Sequence, residues 1–484
     1  MNNNSINNPK MIKKADIIVI GAGPAGSTAA RYSSLKLPNT DIVLIDKQSW
    51  PRDKPCAGGI TKKVFNEFPE LKKFKNFQGK TKKMTAYGQK YAKVTYILGN
   101  SKKDDNDEEF LFAMSIRRDF DQELIELIKE KNIEFWENTE AYSINWVKDD
   151  ITYDYPIKNS DFVEVLVKKG NDIISFQCKI VIVAAGAIPG KITSKGHKWF
   201  PKLSLKPAST IMAEIPIKKE IVNKYWSKEL QVILYWNPYG IPGYFWIFPK
   251  EKSVNLGLEK KKKNNGNILR VFKYHSKVLT KRGEIPRKII QYIKNKSVIK
   301  GFPLPFNGMA QKLYFNRCLV IGDSGGFVSP LHGEGIYYAM LSGKLAAATL
   351  EKILKSTSIN DISAFNEKNL KIFKKKINRH VRPYIKSHVL FQKILVNFSD
   401  AILDAAKHNK YVKWLTRILI VLDPQNILFF AFLLMFFLII YKLKKLFKEP
   451  IKTNKLLFFR RGLLLIKEMI YAILGVHRKL KLER

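Results

Sequence analysis

The feature that most constrains this chain is the segment Asp16-Ile-Ile-Val-Ile-Gly-Ala-Gly-Pro-Ala-Gly-Ser-Thr-Ala-Ala30. The apolar run Ile17 to Ile20 reads as a buried parallel strand. It leads straight into Gly21, Gly23 and Gly26, the G-x-G-x-x-G spacing. Gly21 permits a tight turn, Gly23 lets the backbone approach a pyrophosphate, and Gly26 lets the following helix pack close to the strand. Pro24 and Ala25 open that helix, whose positive N-terminus suits a phosphate. The next apolar stretch, Ile42 to Ile45, ends in Asp46-Lys47. Asp46 stands twenty residues beyond Gly26, where an acid accepts hydrogen bonds from a ribose hydroxyl. The pattern predicts an α/β fold with a dinucleotide against the glycine turn, and it places Asp46 and the adjoining Lys47 beside that nucleotide.

One such turn does not separate FAD from NAD; the C-terminal half does. Cys318-Leu-Val-Ile-Gly-Asp323 is a second buried strand, followed by Ser-Gly-Gly-Phe-Val-Ser-Pro330-Leu-His-Gly333-Glu-Gly335-Ile336 and then a helix from about Tyr337. This stretch resembles the second flavin motif of the FAD family that includes aromatic hydroxylases, flavin halogenases and geranylgeranyl reductases. The resemblance implies that Asp323 holds the ribityl chain and that Pro330, Gly333, Gly335 and Ile336 present backbone N–H groups to the isoalloxazine. A glycine-rich helix N-terminus stabilises negative charge, which a reduced flavin carries. Two more pieces resemble the same family. Arg117-Arg-Asp-Phe120-Asp121-Gln-Glu-Leu124 looks like its R-x-x-F-D-x-x-L helix opening, with Arg117 reaching back towards the nucleotide. Ile180-Val-Ile-Val-Ala-Ala-Gly186 looks like the strand and turn that close over the FAD.

Within that family the narrower resemblance is to the geranylgeranyl reductases, including the archaeal digeranylgeranylglycerophospholipid reductases, and two segments carry it. The first is Lys54-Pro55-Cys56-Ala57-Gly58-Gly59, similar to a Lys-Pro-Cys-x-Gly stretch whose cysteine faces the flavin. Alkene reduction needs a proton source beside the hydride from flavin N5, and a thiol is mostly protonated at neutral pH. Cys56 is therefore the candidate proton donor or substrate-positioning residue, with Ala57 and Gly58 at the cofactor. The second segment is Pro242-Gly-Tyr244-Phe-Trp246-Ile-Phe248-Pro249. It is similar to P-x-x-Y-x-W-x-F-P, with the leading proline one residue too close. On a strand Tyr244, Trp246 and Phe248 share one face and predict a flat apolar wall for a polyprenyl chain, with Tyr244 and Trp246 next to the chemistry. Val254-Asn-Leu-Gly257-Leu258 and Gly301-Phe-Pro303-Leu-Pro305 resemble neighbouring family segments, so the likeness runs over roughly residues 15 to 400.

Composition adds partners rather than fold. The formal charge of +43 comes from lysines spread over the whole chain. Diffuse basicity suits a negatively charged membrane surface or an anionic lipid, and with no nucleic-acid-binding motif present no nucleic-acid partner is expected. The three cysteines are far apart, which points to a reducing compartment, and no metal-ligand spacing exists among them and the seven histidines. After about Lys407 the chain changes character: Ile427 to Tyr441 is unbroken apolar sequence, followed by Lys442, Lys444, Lys445 and Lys448. Fifteen residues reach only about 22 Å, short of a hydrocarbon core near 30 Å, so a monotopic or hairpin anchor with basic flanks is expected rather than a simple span.

The expected architecture is a discontinuous Rossmann-type FAD-binding domain from 11–78, 108–190 and 298–350, with a mixed-sheet substrate domain from 79–107 and 191–297. A disordered tail (1–10), a helical segment (351–407) and a membrane-associated extension (408–484) complete it. The expected activity is an FAD-dependent oxidoreductase acting on CH–CH groups, saturating geranylgeranyl chains at the cytoplasmic face of the cell membrane. NAD(P)H or a ferredoxin would supply electrons, since no second dinucleotide fingerprint is present. A flavin monooxygenase or halogenase is the alternative, although a halogenase would carry W-x-W-x-I-P in place of Tyr244-x-Trp246-x-Phe248-Pro249.

Overall fold

The computed structural model describes residues 9–98, 109–129, 131–187, 208–260, 267–305, 308–331 and 333–418, together with Leu434 and Leu438. Three sheets organise these residues. The largest holds β1 (Met11–Ile20), β2 (Ile42–Ile45), β8 (Ile133–Trp136), β9 (Thr139–Lys148), β10 (Ile151–Tyr153), β11 (Phe162–Lys169), β12 (Asp172–Val183), β18 (Tyr314–Phe315) and β19 (Cys318–Val320). The second holds β5 (Lys83–Tyr87), β6 (Lys93–Ile97), β13 (Ala208–Pro216), β14 (Val232–Trp236), β15 (Gly243–Pro249), β16 (Ser253–Lys260) and β17 (Lys300–Leu304). A small sheet joins β3 (Gly59–Thr61), β7 (Phe112–Met114) and β4 (Lys80–Thr81). The helices are α1 (Pro24–Lys36), α2 (Lys62–Glu67), α3 (Arg117–Lys129), α4 (Lys219–Trp226), α5 (Ile268–Lys281), α6 (Arg287–Lys294), α7 (Ile336–Leu354), α8 (Glu367–His380), α9 (Arg382–His408) and α10 (Lys410–Arg417).

In the first sheet β19, β12, β1, β2 and β8 run parallel in that order. Ile17, Ile18 and Val19 are fully buried, as a central parallel strand covered on both faces requires. Two glycines make the turn out of β1 possible. Gly21 has φ of +97°, and a side chain there would meet the Ala184 carbonyl oxygen at 2.4 Å; a Cβ on Gly26 would lie 1.8 Å from the Gly21 oxygen. Helices α1 and α7 then pack backbone to backbone, since a Cβ on Gly343 would come within 2.4 Å of the Ala25 oxygen. This contact brings the two glycine-rich segments, far apart in the chain, to one place.

The second sheet has the order β17-β13-β16-β15-β14-β5-β6 and is mixed, because β14 pairs with β5 in parallel while its other pairings are antiparallel. Phe272 and Leu279 of α5 and Ile289 and Ile293 of α6 are buried in its core. On the other flank α9 and α10 close over β6, where the Tyr96 hydroxyl donates to Thr416 Oγ1 at 3.0 Å.

Two boundaries differ from the expectation. Lys10, assigned to a disordered tail, donates its backbone N–H to Ile173 O at 2.9 Å and pairs its ammonium with Asp172, extending the edge of β1. Residues 300–304, placed in the nucleotide domain by the boundary at 298, form β17 and pair with β13 in the second sheet. In the described part of the expected membrane extension, Val412, Leu415, Leu434 and Leu438 are buried with the second sheet's apolar cluster, while Tyr411 and Trp414 are exposed. The remaining residues of that extension lie outside the described ones. Among the described residues no helix is long and apolar enough to cross a membrane.

Candidate active site

Between the two large sheets lies a cavity of about 450 Å³. Its lining includes Pro24 at the start of α1, Asp323, and Gly333, Gly335 and Ile336 at the start of α7. The loop Lys54–Gly59 contributes Cys56, Ala57 and Gly58, and β15 contributes Tyr244, Trp246 and Phe248. Four sequence segments read separately thus meet around one space.

The nucleotide end is held by backbone hydrogen bonds. Asp46 Oδ2 accepts from the Ala22 N–H at 2.7 Å and Oδ1 from the Gln48 N–H at 2.9 Å, so this carboxylate clamps the glycine turn. Each oxygen retains a lone pair that a ribose hydroxyl can use. Lys47 is exposed beside it. Gly186 sits above the turn, its carbonyl accepting from the Ser324 hydroxyl at 2.9 Å. Helix α7 begins at Gly335 without a side-chain cap, so its first N–H groups and the positive end of its dipole are offered at the cavity. Pro330 lies behind that segment, its carbonyl accepting from Gln392. The glycine cradle, the clamped acid and the uncapped helix start fit a flavin dinucleotide.

Arg117 lines the same cavity. Its Nε and Nη2 donate to Asp121 at 2.9 and 2.8 Å, and its guanidinium lies beside the Cys56 sulfur. Burial opposes its charge, but Asp121 and Cys56 hold its pKa above the ordinary value. Burial likewise opposes the charge on Asp121, and Arg117 and Arg52 nonetheless keep that carboxyl below its usual range. The cation nearest the glycine turn is Arg52, whose Nη2 would lie 3.1 Å from a Cβ on Gly23 and which pairs with Asp121 at 2.9 Å. Arg52 was not singled out from the sequence, and Lys54, 3.5 Å from Asp323, was named only as the first residue of the cysteine segment, without a role. The one available signal was their position just ahead of the cysteine.

The apolar wall is faceted rather than flat. Tyr244 and Trp246 are 5.8 Å apart between ring centroids and tilted by 52°, and Phe248 meets Phe112 edge-on at 5.5 Å. Trp236 on β14 adds a fourth ring, 5.2 Å from Tyr244. Burial and the neighbouring Glu259 carboxylate push the Tyr244 phenol well above its ordinary pKa, so it stays protonated. The indole of Trp246 donates to Asn255 Oδ1 at 2.8 Å, and Asn255, with Glu214 and Lys250, forms a buried polar group behind the wall. Trp236 and this polar group also escaped the sequence reading, because their partners come from three separate chain segments.

A nucleotide sheet with a five-stranded parallel core, a second mixed sheet and a thiol-lined cavity between them define an FAD-dependent oxidoreductase. No protein-family model matches the chain. An uncharacterised protein of Methanosarcina barkeri is 30% identical over 348 residues, 71% of this chain and 76% of that protein. The digeranylgeranylglycerophospholipid reductase of Sulfolobus acidocaldarius is 27% identical over 362 residues, 72% of this chain and 71% of the relative. A geranylgeranyl bacteriochlorophyll reductase-like protein of Thermoplasma acidophilum shares the fold at a TM-score of 0.62 and 19% identity, covering 82% of this chain and 91% of its own. The chain belongs to the geranylgeranyl reductase family.

Proposed function

We propose that this protein binds FAD and saturates C=C bonds of geranylgeranyl chains in membrane lipids or their precursors. The observation that carries the reading is a single cavity where the Cys56 thiol, an aromatic wall and the uncapped start of α7 converge. When bound and reduced by an electron donor, FAD would supply a hydride equivalent to one alkene carbon. Cys56 gives its proton to the other carbon, leaving a thiolate that solvent reprotonates. Arg117, beside the sulfur, holds that thiolate's negative charge. Tyr244, Trp246, Phe248 and Trp236 exclude water and lay the polyprenyl chain against the reacting face. Lys54, Lys62 and Lys63 also line the cavity and suit a phosphate-bearing head.

Asp46, Asp323 and the turns at Gly21–Gly26, Gly186 and Gly333–Ile336 are the proposed cofactor contacts. NAD(P)H or a ferredoxin is the proposed electron source. The proposed place of work is the cytoplasmic face of the cell membrane. Helix α10 supports that placement: Lys410, Tyr411, Lys413 and Trp414 point outward while Val412 and Leu415 are buried, an aromatic and basic face suited to anionic headgroups.

The test is mass spectrometry of a digeranylgeranyl glycerophospholipid incubated anaerobically with detergent-purified protein and dithionite. Product masses rising in steps of two hydrogens, and formed only at a small residual rate in Cys56→Ala, are expected. A flavin that bleaches on reduction without any mass gain would overturn the reductase reading.

A further inference from the structure

The carbonyl oxygens of Cys56, Ala57 and Gly58 each accept a hydrogen bond, two from the β15–β16 hairpin and one from the start of the α3 segment. Cys56 O accepts from Asn255 Nδ2 at 3.1 Å, Ala57 O from Lys250 Nζ at 3.0 Å, and Gly58 O from the Ser115 N–H at 2.8 Å. Three successive pinned carbonyls are more than a surface loop needs.

The donors are saturated. Lys250, whose side chain is fully buried, has three N–H bonds; two go to the Glu214 carboxylate at 2.9 and 3.1 Å and the third to Ala57. The Asn255 amide gives one N–H to Cys56 O and the other to Glu214 Oε2 at 2.8 Å. Its oxygen accepts from Trp246 Nε1, and because an indole can only donate, that bond fixes which way the amide faces. Ser253 donates to Glu214 as well. Lys250 is fully buried and Glu214 half-buried, and an ion pair with a buried partner is poor value for stability alone, since apolar residues of similar volume often serve as well. What apolar residues could not do is hold two carbonyls of one loop and one ring of the wall in a single rigid frame.

We infer that Asn255 and Lys250, through Glu214, are positioning residues that set the distance between the Cys56 thiol and the Trp246 wall. Asn255 is the bridge, touching both the Cys56 backbone and the Trp246 indole. Lys250 locks the next residue of the loop. Neither reaches the cavity's reacting atoms; each acts through Cys56. The inference rests on Cys56 being the proton donor.

The experiment compares wild type, Asn255→Ala, Lys250→Met, Lys250→Arg, Cys56→Ala and the Cys56→Ala/Asn255→Ala double variant. Each is purified with its flavin and assayed on digeranylgeranyl glycerophospholipid with dithionite. Asn255→Ala and Lys250→Met should lower kcat about tenfold while KM stays within about threefold, and Lys250→Arg should recover most of the loss. The double variant should equal Cys56→Ala, because a frame that acts only through the thiol has nothing left to position. Losses that multiply in the double variant, or an Asn255→Ala kcat within about threefold of wild type, overturn the inference.

A second measurement separates it from the reductase reading. Alkylation of Cys56 by iodoacetamide, followed by mass, needs no substrate. A rate altered about threefold or more in Asn255→Ala supports the frame even for a protein that reduces no prenyl lipid, and a smaller change overturns it.

Discussion

Gly257 faces the wall from the neighbouring strand, and adding one methyl there tests how firmly Trp246 is held. Trp246 and Gly257 are directly opposed in the β15–β16 ladder. A Cβ on Gly257 would lie 1.9 Å from Trp246 Cζ2, 2.2 Å from Cε2 and 2.5 Å from Cη2. These are atoms of a rigid ring in a buried sheet, so the indole must rotate or the strands must part. Overpacking of this kind costs about 1–3 kcal/mol. Rotation also breaks the 2.8 Å bond from Trp246 Nε1 to Asn255 and leaves two buried polar atoms unmatched, at a further cost of about 1–3 kcal/mol. Replacing glycine in a strand returns about 0.5–1 kcal/mol, so the net loss should be near 3 kcal/mol. Unfolding in urea, followed by far-ultraviolet circular dichroism, measures it. Trp246→Phe removes the colliding atoms, so Gly257→Ala should cost about 2 kcal/mol less in that background. Full prenyl-reducing activity together with a loss below about 1 kcal/mol would refute the fixed wall.

Gly26→Ala places a methyl 1.8 Å from the Gly21 oxygen, so the variant should purify without yellow flavin; normal flavin content would remove the turn from the cofactor site. Trp236 lines both the main cavity and a smaller one of about 130 Å³ bordered by Tyr91, Tyr239 and His275. Its Nε1 has no hydrogen-bond partner, and Trp236→Ala should merge the two spaces and shift preference towards longer prenyl chains; an unchanged ratio of rates for short and long chains counts against a dividing role. His275 is buried, and burial, then Arg282, hold its pKa down at about 3. The unfolded chain binds a proton near pH 6.5 that the folded chain refuses until about pH 3. Stability is therefore complete above about pH 6.5 and falls as pH drops through that window, by up to about 1.4 kcal/mol per pH unit. Urea midpoints at about pH 7 and pH 5 should differ, and His275→Phe should shrink the difference; an equal difference in both proteins would exclude His275 as the cause.

The parts of the site legible in the sequence are those whose constraint is local. Gly21 and Gly26 announce themselves because the turn and the helix crossing lie within a few residues of each other. Tyr244, Trp246 and Phe248 share a face because a strand repeats every two residues. What stayed hidden depends on long-range pairing. β17 reads as an approach to the second glycine segment, yet its hydrogen bonds go to β13, about ninety residues earlier. Arg117 has the spacing of a helix opening, but its bidentate pairing with Asp121 and its place beside Cys56 are set by the packing of separate segments. The tilt between Tyr244 and Trp246 comes from the neighbours each ring meets, Trp236 on one side and Asn255 on the other, and periodicity carries no information on either.

The way the pieces come together also explains why thiol and wall need a frame at all. Cys56 sits on a loop that leaves the nucleotide sheet, and Trp246 sits in the middle of the second sheet. The small sheet of β3, β4 and β7 ties that loop to the chain entering β5, so the two domains meet at the residues that must act on one double bond. A displacement of about 1 Å between reacting groups can cost a hundredfold in rate, and a domain boundary is where such displacements concentrate. Lys250 and Asn255 cross that boundary with charged and amide hydrogen bonds, which are directional, while the neighbouring contact of Phe248 with Phe112 is apolar and slides more easily. The polar crossing therefore sits directly behind the cysteine, where geometry matters most, and the apolar packing takes the periphery.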